Sequence, residues 1–177
     1  MTGKLPSFQF DGARTRHVIR PGVIGSGLVT VNAVIFLAGA QAMAADGLTT
    51  LPSKYGPKET MDRLEAAVTA KGLTVFARID HAASAAAVGL PLRPTELLIF
   101  GNAKGGTPLM QSVQTIGIDL PLKALVWRDA NGATWLAYNE PGWIARRHSA
   151  GHEAEPAIGG LAAALAALVK AATAASP

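Results

Sequence analysis

The feature that most constrains this chain is an uncharged segment at residues 21–45. It lies between a basic N-terminal stretch and the residues that can form a soluble domain. The segment has an apolar centre at residues 29–38 and follows a basic stretch at residues 4–20. A basic stretch, an apolar centre and small residues, in that order, are typical of a secretory signal peptide. The sequence therefore predicts a signal peptide at residues 1–44 and a single domain at residues 45–177.

The end of this segment predicts where the signal peptide is cleaved. Ala42 and Ala44 have the small-x-small spacing that signal peptidase requires, so we expect cleavage after Ala44, with Ala42 as the rival position. An uncleaved membrane anchor is the alternative, since a spanning helix needs roughly 20 mostly apolar residues. We therefore expect a periplasmic or secreted protein, or an inner-membrane anchored one if the segment is retained. The long basic stretch also allows a start codon downstream of Met1.

The net charge of +4 does not indicate nucleic-acid binding. Four of the 16 Lys and Arg residues lie in residues 1–44, which leaves 12 basic residues against 11 of the 12 acidic ones in the predicted domain. Affinity for nucleic acid depends on clustered basic side chains that release counterions. Residues 45–177 contain no run rich in Lys or Arg, so we expect no nucleic-acid partner.

The chain contains no cysteine, which excludes disulfides, thiolate metal sites and cysteine nucleophiles. An exported domain without disulfides depends on its hydrophobic core, and about 130 residues are enough to bury one. The sequence also lacks a dinucleotide fingerprint, a nucleophile elbow and a paired-histidine zinc motif. We therefore expect no cofactor, and whether the domain is an enzyme stays open, with a non-enzyme favoured.

Helical periodicity predicts a helix over residues 58–71, where Met61, Leu64 and Val68 repeat on one face and Gly72 follows as a helix-ending glycine. Further helices are predicted over residues 81–89, 107–114, 142–148 and 155–174. The last of these is long and rich in alanine, with an apolar stripe on one face.

β-Strands are predicted near residues 48–51 and over residues 73–80, 96–101, 122–128 and 133–138. The last two strands flank Asn131 and Gly132, a strong hairpin signal because both residues tolerate positive φ. A hairpin between long terminal helices indicates an α+β domain. We expect an antiparallel sheet with helices packed on one face, leaving the other face for solvent or a partner.

Several motifs follow one another in a specific order along residues 50–148. They occupy residues 60–68, 71–82, 93–102, 106–110 and 115–127. In this order they resemble the domain of unknown function 302 family. The resemblance implies a curved antiparallel sheet similar to the TATA-binding-protein-like fold, without its DNA role, and it suggests a homodimer. It brings no agreed activity and no catalytic residues, and a fold alone does not supply a function.

His81 follows Asp80 where a predicted strand meets a predicted helix. An imidazole beside a carboxylate at a strand end is typical of general bases and of metal ligands. The alternative is structural: Asp80 caps the helix through its side-chain oxygen, and His81 occupies the first helical turn.

A glycine-rich stretch at residues 101–107 joins a predicted strand to a predicted helix. Its candidate ligand-binding residues are Asn102, Lys104, Gly105, Gly106 and Thr107. Amides that converge at a helix start favour an anion, and Lys104 adds positive charge. The alternative is a tight turn that needs glycine. Lys123 is a second candidate for an anion site, and its alternative is a surface ion pair with Asp119.

Two histidines near the last helix, His148 and His152, have the i,i+4 spacing that can hold zinc on a continuous helix. Gly151 interrupts that helix, and Arg146 and Arg147 oppose a cation. We therefore expect no metal site and keep metal or haem binding through histidines as the weakest alternative.

Trp127 and Trp135 lie on the predicted hairpin. They either pack in the core or face a ligand or a dimer partner, since aromatic side chains are common at interfaces.

Two functional hypotheses result. The first is an exported domain that binds a small ligand or a protein partner as a homodimer. The second is a small enzyme that uses His81 with Lys104 or Lys123 at an anion-binding site. The second hypothesis requires His81, Asn102 and one of these lysines to line the same pocket.

Overall fold

A computed structural model describes residues 45–174 of the chain. The predicted signal peptide, with its cleavage after Ala44 or Ala42, lies outside the described residues. The strands and helices follow in the predicted order. They are β1 Leu48–Ser53, α1 Pro57–Ala70, β2 Thr74–Asp80, α2 His81–Ala87, β3 Thr95–Gly101, α3 Ala103–Ser112, β4 Leu122–Arg128, β5 Thr134–Asn139, α4 Pro141–Arg147 and α5 Glu155–Thr173, with 3-10 helices at Gln114–Ile118 and His152–Ala154.

Within residues 45–174 the five strands form one antiparallel sheet in the order β1-β5-β4-β3-β2. Strands β2, β3 and β4 each pair with the next strand along the chain. β1 instead pairs with β5, from Leu48 opposite Asn139 to Ser53 opposite Thr134. The predicted α+β fold with an antiparallel sheet is thereby confirmed. The curvature of the sheet and its likeness to the TATA-binding-protein-like fold stay predictions.

Helices α1 and α5 pack against each other and cover one face of the sheet. Their apolar stripes meet every second residue of the central strands, because successive side chains of a strand point to opposite faces. The buried residues of this main core are Met61, Leu64, Val68, Leu98, Phe100, Leu122, Ala124, Val126, Leu136, Leu165, Leu168, Val169 and Ala172. Trp127 and Trp135 alternate with Val126 and Leu136, so they face away from this core.

A smaller apolar cluster lies beside the sheet, between α3, the 3-10 helix Gln114–Ile118, α4 and the start of α5. Its buried residues are Leu109, Ile116, Ile144 and Ala154. Leu120 and Leu161 pack against both clusters. Helix α5 therefore spans the molecule, with its C-terminal half on the main core and its N-terminal half on the smaller cluster.

The segment His152–Thr173 is the one stretch within residues 45–174 that is long and apolar enough to cross a membrane by length and composition. Leu165, Leu168 and Val169 of this segment are buried against α1 and the sheet. Of its most apolar window 28% is buried, so the segment contributes one face to the core and leaves most of its surface uncovered.

The predicted hairpin joins β4 and β5, and its turn over residues 129–133 is one residue longer than the predicted turn over residues 129–132. Gly132 has a positive φ of 86°, but Asn131 does not share it. The Asp129 side chain explains the difference, because its Oδ1 accepts the N–H groups of Asn131 and Ala133, each at 2.9 Å. Asp129 thus organises a longer turn of the kind that acidic residues form with the backbone two residues on.

Candidate functional site

Helix α3 begins at Ala103. The predicted start at residue 107 was therefore wrong by four residues. Asn102 is the reason: its Oδ1 accepts the N–H of Gly105 at 2.8 Å, and its carbonyl oxygen accepts the N–H of Gly106 at 3.2 Å. A capping asparagine of this kind starts a helix. Gly105 and Gly106 therefore lie in the first turns of α3 and do not form the predicted loop of converging free amides.

An apolar cavity of about 270 Å³ lies between α3, the middle of α5 and the adjoining ends of β3 and β4. Asn102 is the one polar side chain in its wall. The other lining residues are apolar or glycine: Leu73, Phe76, Gly101, Ala103, Gly106, Met110, Gly117, Leu120, Pro121, Leu122, Leu161, Ala164, Leu165 and Leu168. Of the residues predicted for ligand binding, the cavity brings Asn102 and Gly106 together.

Small residues keep this cavity open. A Cβ atom at Gly106 would lie 3.5 Å from Cδ1 of Leu120 and 3.9 Å from Cε of Met110, which are ordinary van der Waals contacts between cavity-lining residues. An alanine Cβ would therefore fit at this position without a steric clash. Glycine inside a helix costs about 1 kcal/mol relative to alanine, so Gly106 preserves open space at the expense of helix stability.

Phe76 marks the rim of the cavity. The register of β2 against β3 shifts between Val75 and Ala77, so Phe76 lies in a β-bulge. Its side chain lines the cavity and is nevertheless 56% exposed. Bulges re-aim side chains at the edges of sheets, and here the bulge leaves a large apolar ring at the opening.

A second, shallower depression adjoins the cavity and shares Leu73, Asn102, Leu161 and Ala164 with it. This second depression adds charge, because Lys104 and Glu153 line it along with Gly105. Glu153 Oε1 accepts the hydroxyl of Ser112 at 2.7 Å, and this hydrogen bond lowers the pKa of Glu153 below its ordinary value. Two more predicted residues, Lys104 and Gly105, therefore lie next to the cavity.

His81 lies at the other end of the sheet. In the antiparallel pair β2–β3, Asp80 is opposite Glu96 while Thr74 is opposite Gly101. At about 3.4 Å per residue, that register separates His81 from Asn102 by roughly 17 Å or more. Asp80 Oδ1 accepts the N–H of Ala83 at 2.8 Å, which is the helix-capping arrangement. The structure does not bring His81 to the pocket that the enzyme hypothesis requires.

Lys123 holds a turn beneath the cavity wall. Its Nζ donates to the carbonyl oxygens of Asp119, at 3.0 Å, and Pro121, at 2.9 Å. The expected ion pair between the Lys123 and Asp119 side chains is wrong, because the Asp119 carboxylate is bonded to Arg147 and His148. Thr107 is exposed and lines a separate surface depression with Met110, Gln111, Ser112 and Gln114.

A chain of polar side chains that sequence reasoning missed joins Thr115, His148 and Asp119. Nδ1 of His148 lies 3.1 Å from Oγ1 of Thr115, and Nε2 lies 2.7 Å from Oδ2 of Asp119. The His148 and Asp119 side chains are only 10% and 12% exposed. These hydrogen bonds connect α4 to the 3-10 helix that contributes Gly117 to the cavity wall. No short motif signals it, since its members are 29 and 33 residues from His148.

His148 and His152 have different partners. His152 Nδ1 pairs with Glu155 Oε1 at 2.7 Å, and this hydrogen bond raises the pKa of His152. Across residues 45–174, no three His, Asp or Glu side chains converge as ligands of a metal ion would.

The face of the sheet opposite α1 and α5 carries a tryptophan pair. The rings of Trp127 and Trp135 are stacked, with centroids 6.5 Å apart and planes at 21°. Trp135 Nε1 donates to Asp129 Oδ2 at 2.9 Å, and this bond, together with the backbone donors of the turn, lowers the pKa of Asp129.

Comparisons with known proteins agree with this fold. The model of the family described as "Domain of unknown function DUF302" matches residues 49–168. The crystal structure of an uncharacterized conserved DUF302 protein from Bacillus stearothermophilus superposes with a TM-score of 0.65, over 72% of this chain and 99% of that one. At 22% sequence identity, this likeness concerns the fold alone.

The chain is also similar to proteins named as fluoride-specific ion channels. It is 49% identical over 112 residues to fluoride-specific ion channel FluC 1 of Brucella suis biovar 1 (strain 1330) and to FluC 2 of Brucella melitensis biotype 1. The matched region is 63% of this chain but 44% and 42% of these two relatives. The chain thus spans less than half the length of the curated relatives it matches.

Proposed function

Because the chain belongs to the DUF302 family, whose function is unknown, we propose its function from its own geometry: the domain binds a small apolar molecule in the cavity beside Gly106. The observation that carries this proposal is a cavity lined by apolar side chains and glycines. A cavity with one polar side chain offers ordered water few hydrogen bonds, whereas apolar cavities of this kind take up apolar molecules. Its lining, apolar with one polar group, is typical of small-molecule sites.

The direct test is calorimetric titration of the full chain with 1-decanol, an uncharged probe. Gly106→Leu places a larger side chain between Leu120 and Met110, and we expect it to weaken 1-decanol binding at least tenfold. Gly159→Ala is the matched control, because Gly159 is exposed on α5 and a Cβ there contacts nothing within 4 Å. Binding of 1-decanol by neither the native chain nor the control would refute the proposal, as would equal binding by Gly106→Leu.

The proposal includes a homodimer formed through the uncovered face of the sheet. That face presents Trp127 and Trp135, and aromatic side chains are enriched in interfaces. A twofold dimer needs a surface that is complementary to itself, and a sheet with helices on one side leaves its other side available. Sedimentation equilibrium tests this: we expect a dimer for the native chain and a monomer for Trp127→Glu. A monomeric native chain at micromolar concentration would contradict it.

We also propose that the domain is exported, either released after cleavage or held at the inner membrane by an uncleaved leader. Cleavage after Ala44 or Ala42 would leave the sheet intact, since β1 begins at Leu48. N-terminal sequencing of the protein recovered from the periplasm tests this, and a first residue upstream of position 39 would contradict the cleavage sites.

A second candidate function is action beside an ion channel. The relatives named as fluoride-specific channels are more than twice as long as the matched region, so a domain similar to this one shares their chain with further sequence. We expect the full chain, co-expressed with a fluoride channel from the same source, to co-purify with it. Separation of the two in mild detergent would count against this candidate.

A further inference from the structure

We propose that the ligand is a single-chain amphiphile with an anionic head group, with its tail in the apolar cavity and its head at Lys104. This inference rests on the proposed function, because it assigns the chemistry of the ligand for the same cavity. The cavity alone would take any small apolar molecule. The neighbouring depression adds the charge that selects among them.

The two spaces are arranged as a tail site and a head site. The apolar cavity and the charged depression share Leu73, Asn102 and Leu161 in their walls, so they adjoin each other, as the tail site and the head site of one ligand would. Asn102 lies at the junction, the one polar side chain in the apolar wall. An amphiphile satisfies both surfaces, whereas a purely apolar molecule would leave the charged depression unused.

Lys104 favours an anion over a neutral head. Among the described residues, no carboxylate lies within ion-pair distance of Lys104. It occupies the first turn of α3, where the positive end of the helix dipole disfavours a cation. A lysine that costs helix stability and has no carboxylate partner, beside a binding cavity, fits a role in binding a negative group.

Glu153 is the opposing charge in the same depression. Its carboxylate accepts the Ser112 hydroxyl, which lowers its pKa, and like an ordinary glutamate it is ionised at neutral pH. It should therefore weaken the binding of an anionic head to some extent, and its removal gives a second test with the opposite sign to the Lys104 variant.

The cavity of about 270 Å³ is open at one side and can take an alkyl tail of moderate length. Decanoate, with nine carbons beyond its carboxylate, is a suitable probe, and 1-decanol provides a similar tail without the charge.

The experiment compares decanoate and 1-decanol by calorimetry, with the native full chain, Lys104→Gln and Glu153→Gln. An exposed charge pair contributes modestly, so we expect Lys104→Gln to weaken decanoate binding about two- to fivefold and to leave 1-decanol binding unchanged. Glu153→Gln should strengthen decanoate binding. Added salt should weaken decanoate binding to the native chain and have little effect with Lys104→Gln.

The outcomes separate this inference from the proposed function. If 1-decanol binds but Lys104→Gln leaves decanoate binding unchanged, or weakens both ligands equally, the anionic head group is wrong and the apolar site stands. If neither ligand binds the native chain, both proposals fail.

Discussion

Helix α5 packs differently along its length. Its last turns place Val169 and Ala172 in the main core, among large side chains of α1 such as Met61 and Leu64. Its middle turns, over residues 161–168, line the apolar cavity, and Leu165 and Leu168 of these turns also belong to the main core. One continuous helix therefore serves a filled region and an open one. The size of the partner side chains, and not the helix itself, determines which region is solid and which can accept a ligand.

The largest expected effect is in the filled region. Leu64 is fully buried, so Leu64→Ala should lower the free energy of unfolding by about 2–5 kcal/mol, through lost burial and a new cavity. Leu161→Ala enlarges a space that already exists and removes a partly exposed side chain, so its cost should stay below about 2 kcal/mol. Urea denaturation of both variants gives the comparison. Equal losses would mean that the two regions are packed alike.

The next prediction concerns the wall of the apolar cavity. His148→Ala removes the imidazole between Thr115 and Asp119, and loss of hydrogen bonds to nearly buried groups should cost about 1–3 kcal/mol of unfolding free energy. His152→Ala is the matched control, because that histidine is exposed and its loss should change stability much less than the loss of His148. Thermal unfolding of the pair measures this, and similar melting temperatures would exclude a structural role for His148.

A substitution that raises the free energy of unfolding should be possible inside the apolar cavity. Gly106→Ala adds one methyl group in ordinary contact with Leu120 and improves helix propensity, so we expect a gain of up to about 1 kcal/mol. The same change at Gly105 should be unfavourable, because a Cβ there would lie 3.0 Å from Cδ2 of Leu161. If urea denaturation shows that Gly106→Ala destabilises the fold, the glycine is required by packing and not by the cavity.

The smallest effect concerns the hairpin, away from both regions of α5. The pKa of Asp129 is lowered in the folded state, so its contribution to stability is present above the ordinary aspartate pKa and is lost as pH falls through the folded value. Asp129→Asn should therefore be less stable than the native chain at pH 7, and the difference should shrink near pH 3. Urea denaturation at both values measures it, with Asp46→Asn as the charge-matched control. A difference independent of pH would contradict this account.

The helices and strands were largely predictable because their signals are local. The stripe of Met61, Leu64 and Val68 and the glycine at position 72 predicted α1, and Asn131-Gly132 predicted the hairpin. The start of α3 was missed because Gly105, Gly106 and Pro108 weaken helix propensity, whereas the Asn102 cap acts through a side-chain hydrogen bond that spacing alone does not reveal.

The candidate site was only partly predictable. The glycine-rich stretch drew attention to Asn102, Lys104 and Gly106, although for converging amides and not for an apolar cavity, and their role in binding stays a prediction. The cavity depends on residues from separate elements, such as Phe76 and Leu161, whose proximity follows from tertiary packing. The pairing of β1 with β5 was likewise beyond local patterns, since it joins residues about 90 positions apart.

The most direct test of the apolar site compares two methionines, one in each region. Met61 is fully buried in the main core, and Met110 lines the apolar cavity. With ¹³C-methyl-labelled methionine, titration of the full chain with 1-decanol should shift the Met110 methyl resonance and leave that of Met61 in place. A Met110 resonance that does not move at saturating 1-decanol, or a Met61 resonance that moves as far, would contradict ligand binding in the cavity.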